Sequence, residues 1–206
     1  MITLTRKERD KQLRKSDILK AAERIFALKG FHAATMQDIA KEAQYATGTV
    51  YLYFRDKDAL YFSLVEEKIQ GLFDSVKLDT GQVLDAEDKV RLCLDRNLDF
   101  FEKNQDFFRI FLSERSKIQA EKESKFYKSS VLLQYKEFFV HLIKACQQQK
   151  IIRSDYDPGQ IAEIFTSILM SVVIDWFKKG PKNTVRLTQL SGFILEVFLR
   201  GVGKNK

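Results

Sequence analysis

Residues 35–60 read TMQDIAKEAQYATGTVYLYFRDKDAL, and this stretch limits the possible folds more than any other. Thr35 has the chemistry of a helix N-cap, and the residues after it predict a short helix over roughly Met36 to Ala43. Ile39, Ala40 and Ala43 form its apolar face. Gln44-Tyr45-Ala46 leaves room only for a tight connection before a second short helix starts near Thr47. Two short helices joined so closely read as a helix-turn-helix, whose second helix enters the major groove of DNA. That helix shows Thr47, Gly48, Thr49, Tyr51 and Tyr53. Small residues permit close approach, and the hydroxyls suit phosphates or base edges.

The remainder is predicted to be helical as well. The chain has 206 residues, only two of them proline, and the apolar period is helical almost throughout. A first helix is expected over roughly Lys11 to Lys29, ended by Gly30, and a fourth after Asp56. Further helices are expected near 86–103 and 105–116, from about Val131 to Gln149, from Pro158 to Gly180, and from about Leu187 to Gly201. Ile151-Ile152 reads as a loop that packs. The expected fold class is all-α: an N-terminal helix-turn-helix domain with a basic leader over 1–55, and a C-terminal helical domain over 56–206.

Charge is uneven along the chain. Net charge is +7, and residues 1–60 carry 12 Lys/Arg against 8 Asp/Glu. That local excess all falls in residues 1–20, with 7 basic and 3 acidic groups. Such a balance suits a polyanionic partner. The leader, Arg6, Lys7, Arg9, Lys11, Arg14 and Lys15, is either a solvated tail or an arm along the DNA backbone. Cys93 and Cys146 have neither disulfide-framework nor metal spacing, and read as buried thiols in a reducing cytosol. The N-terminal charges have no apolar run behind them and no stretch of about 18 apolar residues follows, so neither a signal peptide nor a membrane span is expected, and the location is read as cytoplasmic. With no metal spacing, phosphate loop or nucleophile elbow, no catalytic residues, cofactor or metal are expected, and the chain reads as a non-enzyme.

Ala21-Ala22, Phe26, Gly30-Phe31, Thr35, Asp38-Ile39-Ala40, Ala43, Gly48-Thr49-Val50-Tyr51, Tyr53-Phe54, Lys57 and Leu60 resemble, in order and spacing, the DNA-binding domain of the TetR family (TetR/AcrR type) of bacterial transcriptional regulators. The turn departs from the pattern: the family usually has Gly-Val-Ser where this chain has Gln44-Tyr45-Ala46. Losing that Ser removes an N-cap from the second helix, a role Thr47 is placed to assume. Tyr45 either packs over the turn or lies on DNA.

The resemblance implies DNA contacts from Thr35, Gln37, Thr47, Gly48, Thr49, Tyr51, Tyr53 and Lys57, with Lys57 on a phosphate. It implies a homodimer on double-stranded operator DNA, paired through the last two helices. Ile168, Val172, Trp176, Leu190, Ile194 and Phe198 are the expected interface. It also implies a small-molecule inducer bound among the middle helices. Fourteen of 17 Phe lie after residue 60, which favours an apolar or aromatic inducer. Arg96, Phe100, Phe107, Arg109, Phe111, Tyr135, His141 and Phe165 are the candidate lining. The expected function is a repressor released from its operator by that inducer. The alternative is a helical protein-interaction adaptor with a degenerate head.

Overall fold

The structure, a computed structural model, describes residues 5–114, 131–180 and 184–202. Among these residues the chain is helical without strands. In chain order the helices are α1 (Arg6–Lys29), α2 (Met36–Glu42), α3 (Thr47–Tyr53), α4 (Lys57–Thr80), α5 (Ala86–Lys103), α6 (Gln105–Ser113), α7 (Val131–Gln148), α8 (Pro158–Lys179) and α9 (Ser191–Val202). A 3-10 turn, Leu187–Leu190, leads into α9. The helix expected to reach residue 116 is described as far as Ser113, and residues 115 and 116 lie outside the described residues.

Helix α1 starts earlier than its apolar period does. Thr5 and Glu8 form a capping box, so the basic leader occupies the first turns of an ordered helix and is not a loose tail. Apolar periodicity cannot reveal a helix segment that is polar all round, and only the Thr-x-x-Glu signature marked it.

Packing divides the chain into two compact units. The first comprises residues up to 68 together with α6, so it extends beyond residue 55. Its core includes Ile18, Ala22 and Phe26 of α1, Ile39 of α2, Val50 of α3, Leu60 and Leu64 of α4, and Phe107 and Phe108 of α6. Lys68 pairs with Glu23 at 2.8 Å and lies 5.8 Å from the Phe107 ring centroid. Tyr61 is fully buried, and burial, with the Glu114 carboxylate nearby, pushes its hydroxyl pKa up.

The second unit contains the rest of α4 with α5, α7, α8 and α9. Asp85 caps α5, and Asp157 caps α8 with Pro158 in its first turn. Gln149 accepts from the Ala86 amide at 2.9 Å and donates to the Leu84 carbonyl at 3.1 Å. Ile152 is buried, as expected of a loop that packs. Cys93 and Cys146 are free and buried, and burial pushes both thiols up to about 12. Helix α8 has the length and hydropathy of a membrane span. Its buried residues Ile161, Ala162, Phe165, Leu169 and Val173 form one side of the core, and its exposed positions include Glu163, Asp175, Lys178 and Lys179.

Candidate nucleic-acid interface

Helix α2 is held at its start by a complete capping box. Thr35 Oγ1 accepts from the Asp38 amide at 3.1 Å, and Asp38 Oδ2 accepts from the Thr35 amide at 3.1 Å and its hydroxyl at 2.8 Å. Lys29 donates to Asp38 Oδ1 at 2.6 Å. The Lys29 ammonium and then the Thr35 hydroxyl hold the Asp38 carboxyl down to about 2. The capping role expected of Thr35 therefore occupies both faces of its hydroxyl.

The unusual turn closes without glycine. Gln44 adopts φ 59°, a left-handed conformation that costs a side-chain-bearing residue about 1–2 kcal/mol. Its amide donates to the Lys41 carbonyl at 3.2 Å, and the Tyr45 amide donates to the Ala40 carbonyl at 2.9 Å. Tyr45 packs back over the turn, and its hydroxyl donates to Asp17 of α1 at 3.1 Å. That bond joins the turn to α1. Thr47 does not replace the missing cap: Ala46 is the N-cap, with no side-chain bond, and Thr47 is already helical.

On α3, Val50 is buried, and Phe54 beyond its end is buried too. Thr47, Thr49 and Tyr53 are half-buried, while Gly48, Tyr51 and Leu52 are exposed, as is Gln37 on α2. Leu52 was not among the expected contact residues. An apolar residue beside the family's aromatic positions reads as core until packing shows which way it faces.

Lys57 departs from expectation. Its ammonium donates to the carbonyls of Phe31 (2.6 Å), His32 (3.0 Å) and Ala34 (2.8 Å), and lies 4.7 Å from the Phe31 ring centroid. Three hydrogens meet three acceptors. In this structure Lys57 ties the α1–α2 connection to the start of α4 and is not presented to a phosphate.

The expected inducer residues are divided between the two units. Phe107, Arg109 and Phe111 belong to the first unit; Arg96, Phe100, Tyr135, His141 and Phe165 belong to the second. Arg109 is exposed and lies 3.6 Å from Asp106. His141 is exposed, and its Nδ1 lies 2.8 Å from the Glu137 carbonyl. Arg96 Nε lies 2.5 Å from Asp79 Oδ2, a close charge contact that is not an aligned hydrogen bond. Phe107 is core, and Phe100 and Phe111 are half-buried.

Within the second unit Tyr135 is buried among Phe73, Phe138 and Phe139, at ring-centroid distances of 5.2, 6.3 and 5.0 Å. Asn97 Nδ2 donates to the Tyr135 hydroxyl at 2.7 Å and to the Cys93 carbonyl at 2.8 Å. Burial pushes the Tyr135 hydroxyl well above its ordinary range. Asn97 was missed because a single amide within a helical apolar stripe carries no signal of its own.

The expected dimer residues divide as well. Ile168, Val172, Trp176 and Leu190 are half-buried. Ile194 and Phe198 are core, and Phe198 meets Phe165 edge-on at 4.9 Å. The exposed apolar residues of α8 and α9 are instead Ile164, Phe193 and Val197. Trp176 Nε1 donates to the Val185 carbonyl at 2.7 Å within the same chain.

Residues 18–64 match the family described as bacterial regulatory proteins, tetR family. The chain is 23% identical over 185 residues to the fatty acid metabolism regulator protein of Bacillus subtilis (strain 168), covering 90% of this chain and 93% of that one. Its fold is similar to the fatty acid degradation regulator FadR of Bacillus halodurans, with a TM-score of 0.79 and 24% identity over 90% of this chain and 94% of that one. It is also similar to the Bacillus subtilis regulator FadR in complex with stearoyl-CoA, with a TM-score of 0.76 and 21% identity over 91% of this chain and 98% of that one. The capped helix-turn-helix thus carries the sequence of the tetR family of bacterial regulatory proteins over residues 18–64, and the chain has the helical fold of the regulator FadR.

Proposed function

We propose that the protein is a homodimeric, cytoplasmic repressor that binds operator DNA through α2 and α3 and is released by a small molecule bound within its second unit. The observation that carries the DNA-binding part is the closed turn between two short helices. It leaves the outer face of α3 open while Val50 and Phe54 anchor the helix from within. Gln37, Thr47, Gly48, Thr49, Tyr51 and Tyr53 are the proposed contacts to bases and phosphates. The ordered basic start of α1 adds cations for the backbone. A head that held its turn only loosely would favour the adaptor alternative; the Tyr45–Asp17 bond speaks against it.

The proposed ligand is a long-chain acyl thioester. Support comes from the aromatic cluster around Tyr135, with Asn97 as its polar contact, and from the similarity to a regulator whose structure contains stearoyl-CoA. The exposed Ile164, Phe193 and Val197 are the proposed centre of the dimer surface, continuous with the half-buried Ile168 and Val172. No catalytic role is proposed.

Selection from a random duplex pool tests the reading. An enriched palindrome whose affinity falls steeply with salt is the expected result. Uniform weak binding to all duplexes would instead support the adaptor.

A further inference from the structure

The recognition helix reads TGTVYLY and contains no Arg, Lys, Asn or Gln. The side chains that pair bidentately with guanine or adenine are therefore absent from it. What remains for base contact is hydroxyl and hydrocarbon. Leu52 is 83% exposed, more than the 48% of Tyr51 on the same helix. At about 3.6 residues per turn, Leu52 projects about 160° away from the buried Val50, toward the side opposite the head's core. Gly48, four residues earlier, shares that outer face, and the position a Cβ would occupy there is open space. The outermost surface of α3 thus combines a missing side chain with a bare isobutyl group.

We propose that Leu52 reads the C5-methyl groups of thymine in the major groove. This inference rests on the DNA-binding reading and identifies the chemistry used at that site. Only thymine among the four bases presents a methyl group in the major groove, and apolar contact is the way it is read. The absent side chain at Gly48 lets the helix axis approach, bringing Leu52 within van der Waals range of a base edge. Removing one buried methyl from such a contact weakens binding about fourfold.

The test uses the full-length protein and the duplex it enriches from a random pool. Each thymidine of that duplex is replaced in turn by deoxyuridine, which deletes the methyl and keeps the pairing. Wild type should lose about fourfold in affinity at one or two positions per half-site. Leu52→Ala, at an exposed position that leaves the core intact, should bind the thymidine duplex more weakly and show no further loss with deoxyuridine at those positions. Equal losses in wild type and Leu52→Ala, or no loss at any position, would overturn the assignment. If no sequence is enriched, the DNA-binding reading itself fails, and the assignment with it.

Discussion

Three carbonyl oxygens of the α1–α2 connection converge on one ammonium, and this decides what Lys57 does. A phosphate would have to displace bonds of 2.6–3.0 Å from a partly buried site. Hydrogen bonds to a charged group contribute about 1.5–3 kcal/mol. Lys57→Met keeps the stem near Phe31 and removes the donors. Stability in urea should therefore fall by about 1.5–3 kcal/mol, while the salt slope of DNA binding stays as in wild type. A slope reduced by about 0.9, with stability unchanged, would mean that the lysine leaves the carbonyls for a phosphate. The sequence placed Lys57 correctly at the start of α4. It could not show the acceptors, because they are backbone atoms more than 20 residues away. Thr35 was legible for the opposite reason: both halves of its capping box lie within four residues.

At the scale of helices, α8 and α9 show where sequence pattern stops being informative. The ends of α8 were legible from Asp157-Pro158 and from Gly180, since caps are local chemistry, whereas α9 runs through Gly201, where it was expected to close. The faces of the two helices were not legible. Each helix carries apolar residues around much of its circumference, so periodicity alone cannot separate core from interface. Packing separates them: Ile194 and Phe198 point inward, and Phe193 and Val197 point outward. Phe193→Glu should therefore shift the dimer to monomer, raising its dissociation constant by a factor of about 30 or more, as expected for an interface anchor of about 2 kcal/mol. Trp176→Phe loses the bond to the Val185 carbonyl and should lower the melting temperature while leaving association unchanged. Sedimentation equilibrium separates the two variants. Weakened association in Trp176→Phe, with none in Phe193→Glu, would place the two-fold axis elsewhere.

For the whole molecule, repression requires that a ligand in one unit and DNA on the other alter each other's binding. Fold class and the identity of the reading head were legible because both rest on local periods and caps. Of the proposed ligand site only Tyr135 was legible; its partner Asn97 was not, because the two come from helices separated in sequence, as the bond between them illustrates. Linkage makes the coupling measurable in both directions: if stearoyl-CoA lowers operator affinity by some factor, operator must lower stearoyl-CoA affinity by the same factor. Stearoyl-CoA at 100 times its dissociation constant should stabilise the free protein by about 2.7 kcal/mol. For a chain of this size that corresponds to a rise of about 5–11 °C in melting temperature. Asn97→Leu, which removes the amide while keeping the bulk, should reduce that rise and weaken ligand-driven release, yet bind operator as wild type does in the absence of ligand. Calorimetry of each ligand in the presence of the other gives the two factors. Unequal factors would show that a further state intervenes, and a melting temperature indifferent to stearoyl-CoA would remove acyl thioesters as the ligand class. A rise in Asn97→Leu equal to that of wild type would move the site away from the Tyr135 cluster.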